Sequence, residues 1–122
     1  MSINETAQAA HQNAKSKGFF DNEKNIGEML CLIHSEVSEA LEADRKGHYC
    51  DANMNVVNGW VGDEDFKEYF TENVKSSFQD EIADIIIRAF DLAAYKGIDL
   101  EAHIAAKMRY NSLRPHMHGK KY

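Results

Sequence analysis

Residues 77–97 read Ser77-Phe78-Gln79-Asp80-Glu81-Ile82-Ala83-Asp84-Ile85-Ile86-Ile87-Arg88-Ala89-Phe90-Asp91-Leu92-Ala93-Ala94-Tyr95-Lys96-Gly97. At about 100° per residue, Ile82, Ile85, Ile86, Ala89, Phe90 and Ala93 fall on one broad face, while Ile87 and Leu92 flank the opposite one. Only a narrow strip stays polar: Asp80, Glu81, Asp84, Arg88 and Asp91. A helix that is apolar nearly all round belongs in a core. A core helix is therefore predicted over residues 77–96, with its polar strip lining an internal cleft, because apolar residues border the strip on both sides.

The neighbouring segments read the same way. A first helix is predicted over residues 3–17, closed by Gly18, and a second over residues 25–46, closed by Gly47. Asn25 followed by Glu28 resembles a capping box, and glycine is the usual residue just past a helix C-terminus. A further helix is predicted over residues 99–113, with Asp99 as N-cap and Pro115 beyond its end. Residues 48–75 form a long polar connection with room for a short helix over 63–74. No convincing β-type alternation, internal repeat or low-complexity stretch competes. The expected architecture is one all-α domain over residues 1–122, a four-helix-bundle-like arrangement.

Composition narrows the function. The 122 residues are 43% hydrophobic and 28% charged with a single proline, a globular balance rather than a disordered one. The net charge of -6 is unevenly spread. Residues 1–102 carry 9 bases against 20 acids, whereas residues 103–122 carry 5 bases and no acid. Such an acidic chain is a poor holder of long nucleic acid, whose affinity rests on neutralising phosphates. The apolar runs are too short to span a bilayer, and residues 2–17 lack the apolar stretch of a signal peptide. The expectation is a cytoplasmic protein in which Cys31 and Cys50 are free thiols.

Two carboxylate pairs stand out: Glu36 and Glu39 on the second helix, Glu81 and Asp84 on the third. Each pair is spaced i, i+3 and so shares a helical face. If the pairs face each other, four negative charges gather in a partly dry cleft, which is strongly unfavourable without cations. All-oxygen ligation suits Mg²⁺ or Mn²⁺. A di-iron site needs Glu-x-x-His, which is absent here. A zinc site from Cys31, His34, His48 and Cys50 has only loose spacing.

These motifs resemble the MazG-like all-α nucleoside triphosphate pyrophosphohydrolases. The resemblance is carried by Leu32-Ile33-His34-Ser35-Glu36-Val37-Ser38-Glu39-Ala40-Leu41-Glu42, by Glu81-Ile82-Ala83-Asp84-Ile85-Ile86-Ile87-Arg88, and by Lys107-x-x-Tyr110-Asn111-x-x-Arg114-Pro115 with His118-Gly119-Lys120-Lys121. It spans residues 19–122 and is weakest over 48–75. One departure is Ser35, which stands where the family often has the first glutamate of Glu-Glu-x-x-Glu.

The resemblance implies hydrolysis of a nucleoside triphosphate between its α- and β-phosphates, with Glu36, Glu39, Glu81 and Asp84 as metal-holding catalytic acids and no unique base assigned. Metal ions there would bridge phosphate oxygens and orient an attacking water. Lys107, Asn111, Arg114 and Lys120 become candidate substrate-binding residues, since Arg and Lys neutralise phosphate well. The family also pairs its protomers, which implies a homodimer or homotetramer. Arg88, one turn from Asp84 and Asp91, is read as orienting them. Phe19, Phe20 and Trp60 are candidates for stacking on a base. The competing reading is a catalytically inactive helical module that binds a partner or a nucleotide.

Overall fold

The computed structural model describes residues 1–122 and is all-α. Its helices are α1 (Ile3–Ser16), α2 (Ile26–Arg45), α3 (Met54–Asn58), α4 (Asp63–Asn73), α5 (Phe78–Tyr95) and α6 (Leu100–Ser112), followed by a 3-10 turn at His116–Gly119. The four long predicted helices are all present. The short helix expected over 63–74 is α4, and the predicted connection also holds the five-residue α3, which the sequence did not suggest.

The chain forms two compact units, residues 1–23 with 90–122 and residues 24–89. In the first, the starts of α1 and α6 are stitched together by polar groups. Asn4 Nδ2 donates to Asp99 Oδ1 at 2.8 Å, and Glu101 N donates back to Asn4 Oδ1 at 3.1 Å. Asp99 also accepts from Ala102 N, the N-cap role its sequence position predicts. The bonds from Asn4 and Ala102 hold the Asp99 carboxyl below its ordinary value. Farther along α1, His11 Nδ1 meets Asp91 Oδ1 at 2.8 Å, and Phe20 packs between the His11 and Tyr95 rings.

In the second unit, chemistry at the end of α2 sets its register against α5. Gly47 takes φ +66°, a left-handed conformation open to glycine at little steric cost. That turn lets Gly47 N donate to Asp44 O and His48 N to Ala43 O, the Schellman pattern that satisfies the last carbonyls of a helix. The chain then passes beside the start of α5, where Phe78 N donates to His48 O at 2.8 Å. Gln79 clasps the Cys50 backbone from both sides, accepting from its N–H and donating to its carbonyl. At the same point Ser77, fully buried, accepts from Asp80 N and caps α5. With the end of α2 tied to the start of α5 and Glu36 reaching Arg88, the two helices run antiparallel.

One expectation about the core is corrected. Ile82 and Ile86, expected on the buried face of α5, are exposed, as are Ile87 and, on α2, Leu30, Val37 and Leu41. The reason is which face α5 turns to α2: its contact runs through Glu81 and Arg88, and the α2 residues most buried are Met29, Glu36, Ala40 and Ala43. The buried Glu81 of the acidic strip is turned inward, while Ile82 and Ile86 of the apolar face stay partly open to solvent.

Candidate functional site

The α2–α5 contact gathers three of the four predicted acids. Glu36, Glu39 and Glu81 each place a carboxylate oxygen within 4.8 Å of the others. Glu36 and Glu81 are each only 7% exposed, while Glu39 stands at the open side. Asp84 lies outside this trio, half-buried on the next turn of α5.

Electrostatics differentiate the acids. Burial is the largest single influence on Glu36 and raises it, but the hydrogen bond and charge of Arg88, whose Nε donates to Oε1 at 2.7 Å, together with hydrogen bonds from Glu39 and Glu81 hold the carboxyl below its usual range. Burial pushes Glu81 up to about 7, reinforced by the charges of Glu39 and Glu36. Glu39 is raised chiefly because the neighbouring Glu36 carboxylate holds its proton. Asp84 is raised by burial and then by Asp80 and Glu36, against a lowering pull from Arg88. The cluster thus has one firmly ionised member and others reluctant to ionise together.

A buried oxygen marks the site as incomplete in hydrogen bonding: Glu81 Oε2 has no partner. Buried polar atoms are rarely left so, and an orphaned carboxylate oxygen beside two further carboxylates fits a cation. The donor set is all oxygen, which suits a hard divalent ion.

Glu39 and Glu81 also open onto a cleft of about 410 Å³ that Lys46 and His48 line as well. The sequence reading gave Lys46 no role and weighed His48 only for a loosely spaced zinc set. Their signal was present in Lys46-Gly47-His48, because a left-handed glycine at the end of the helix carrying the first acid pair keeps its neighbours close to that pair. Arg88 is another correction. Its hydrogen-bond partner is Glu36 across the helix contact, not Asp84 or Asp91 on its own helix, and Asp91 pairs with His11. Ser35 turns its hydroxyl onto Leu32 O at 2.7 Å and offers nothing to the trio.

The predicted substrate-binding residues belong to the other unit. Lys107 Nζ and Arg114 Cζ lie 5.1 and 5.8 Å from the Tyr110 ring centroid, within cation–π range. Tyr110 therefore gathers two of the tail's cations, a role signalled by its position three after Lys107 and four before Arg114. Asn111 is half-buried with Oδ1 unpartnered, and Lys120 is exposed. Of the aromatic candidates, Trp60 stacks on Tyr69 at 4.7 Å, Phe20 packs on His11 and Tyr95, and Phe19 is exposed. No helix is long and apolar enough to cross a membrane. Compared with protein-family models, curated proteins and solved structures, the chain finds no match.

Proposed function

We propose that this chain is a metal-dependent nucleoside triphosphate pyrophosphohydrolase, cleaving (d)NTP between the α- and β-phosphates to (d)NMP and pyrophosphate in the housecleaning of cytoplasmic nucleotide pools. The observation that carries the reading is the trio of Glu36, Glu39 and Glu81, with ligand oxygens within 4.8 Å and a buried Glu81 oxygen lacking any partner. Its MazG-like motifs supply the reaction class.

Mg²⁺, or Mn²⁺ in its place, is held by Glu36, Glu39 and Glu81, with Asp84 one turn away, and supplies charge neutralisation and Lewis-acid polarisation to the phosphates. Glu36 is kept ionised by Arg88 and so is the permanent anion of the site. Glu81 retains its proton up to about pH 7 while the trio is bare, so it is the member whose ionisation governs loading. Lys46 and His48, on the same cleft as Glu39 and Glu81, receive phosphate oxygens. In the other unit, Lys107, Asn111, Arg114 and Lys120 are the triphosphate-binding residues that the resemblance implies, and Tyr110 gathers Lys107 and Arg114. A homodimer or homotetramer covers the exposed apolar residues of α2 and α5, Leu30, Val37 and Leu41 with Ile82 and Ile86.

A second reading, an inactive helical module that binds nucleotide or a protein partner, is favoured by one observation. Ser35 is spent on the Leu32 carbonyl, so the site has one acid fewer than it could carry. A panel of canonical and modified nucleoside triphosphates with Mg²⁺ separates the two. Pyrophosphate release that disappears in Glu39→Gln and Asp84→Asn, with helicity unchanged, supports the hydrolase. Absence of product from every nucleotide leaves the module.

A further inference from the structure

Trp60, the single tryptophan of the chain, lies between α3 and α4. Val57, 1% exposed, anchors α3, and Trp60 N donates to Val57 O at 3.1 Å. Gly62 then takes φ +92°, a backbone conformation that a side chain would strain, and turns the chain into α4. The result is that Trp60 stacks on Tyr69 with ring centroids 4.7 Å apart. The stack covers one side of the indole, yet Trp60 stays 40% exposed. Both rings, with Asp65, Glu68 and Glu72, line a cavity of about 190 Å³.

Asp65, Glu68, Tyr69 and Glu72 recur at i, i+3, i+4 and i+7 and so share one face of α4. None of these three acids has an ion pair within the protein, because Lys67, the one base on the helix, reaches Glu64 instead, at 4.0 Å. Glu68 and Glu72 are spaced i, i+4, where opposite charges stabilise a helix and like charges weaken it. The helix bears that repulsion on the same face as the rings, and a bound cation relieves it.

The geometry also selects among cations. Ring faces attract an ammonium group through their quadrupole, and carboxylates neutralise it. A single metal ion fits poorly, since the α2–α5 trio alone brings three ligand oxygens within 4.8 Å of one another. Asp65 and Glu72 stand seven residues apart, about 10 Å along the helix axis, which matches a string of charges rather than one. The cavity is smaller than most small-molecule sites and suits an aliphatic chain better than a ring system. Nucleotides are disfavoured, because their phosphates would meet three carboxylates.

We propose that Trp60, Tyr69, Asp65, Glu68 and Glu72 form a binding site for a linear aliphatic polyamine, with one ammonium group on the Trp60 ring face and the others paired to carboxylates along α4. The site is built from α4 and the turn that precedes it, and it stands independently of the nucleotide reading.

Because Trp60 is the sole tryptophan, its fluorescence reports on the site directly. Titrating the full chain with spermidine at constant ionic strength is expected to change that emission saturably, with an affinity about tenfold above that of propylamine, which carries one ammonium group. Mg²⁺ at the same ionic strength is expected to leave the emission unchanged. The double variant Glu68→Gln with Glu72→Gln should weaken spermidine about tenfold with helicity intact, and Tyr69→Leu should weaken it several-fold, read by calorimetry. Glu64→Gln, on the same helix but outside the cavity, should bind as the wild type does. No saturable change, equal affinity for spermidine and propylamine, a response to Mg²⁺ as large as that to spermidine, or undiminished binding in either the acid double variant or Tyr69→Leu overturns the proposal. So does a loss in Glu64→Gln as large as in the double variant, since that marks general charge attraction rather than a site.

Discussion

Arg88 Nε donates to Glu36 Oε1 at 2.7 Å, joining the two helices that carry the acidic trio. The bond does two things. It compensates the burial of one carboxylate, and by keeping that carboxylate ionised it leaves the burden of neutralisation on Glu39 and Glu81. Arg88→Met strands the Glu36 charge in a site that is 7% exposed. The expected cost is about 1–3 kcal/mol by urea unfolding. Adding Glu36→Gln to Arg88→Met should recover much of that loss, and a double variant as unstable as the sum of the singles contradicts the coupling.

Glu81 gives the metal-free protein a distinctive pH dependence. Its folded value is about 7 against an ordinary 4.5, so between those pH values the folded chain holds a proton the unfolded chain has released. By linkage this contribution is fully present at low pH and is lost as pH rises through the window. Glu36, with a lowered value, works in the opposite sense, and its stabilisation is lost on acidification. In chelator, Glu81→Gln should flatten the fall in Tm between pH 5 and pH 7.5 relative to wild type. Parallel Tm curves for the two proteins contradict the assignment.

Metal should relieve the same strain. Loading displaces the Glu81 proton, so Mg²⁺ affinity is expected to climb from pH 6 to pH 8 and binding to release protons. Isothermal titration calorimetry in buffers of different ionisation enthalpy reads that release. Saturating Mg²⁺ should raise Tm by several degrees at pH 7.5, and chelator should reverse it. Glu39→Gln is expected to weaken binding at least tenfold, and unchanged affinity removes Glu39 from the ligand set.

Backbone conformation, rather than contact, explains Gly47. An added Cβ there meets nothing within 4 Å, yet φ is +66°. Gly47→Ala is expected to cost about 1–2 kcal/mol through the left-handed penalty alone. Gly59 sits at φ −88°, where an added Cβ makes ordinary contacts at 3.6 Å, so Gly59→Ala should stay within about 0.5 kcal/mol of wild type. Comparable losses from the two substitutions in urea unfolding contradict this account.

The legible parts of the sequence were those governed by local chemistry. Gly47 and Gly97 close α2 and α5, and Asn25 and Asp99 cap α2 and α6, because each choice depends on a few adjacent residues. The five-residue α3 is too short for any period to register. Exposure of Ile82 and Ile86 was hidden for a different reason, since periodicity shows that a face is apolar but not what lies over it. The acid pairs were readable from i, i+3 spacing. That Arg88 reaches Glu36, that Asp84 stands outside the trio and that Glu81 Oε2 is orphaned all depend on how α2 and α5 meet.

The central claim is α–β cleavage on a metal held by the trio. ³¹P NMR of purified protein with a nucleoside triphosphate panel and Mg²⁺ tests it directly, because it identifies the products as well as the turnover. Monophosphate and pyrophosphate in equal amounts, formed by wild type and not by Glu39→Gln, are the predicted result. Diphosphate with inorganic phosphate, or no product from any nucleotide tested, contradicts it.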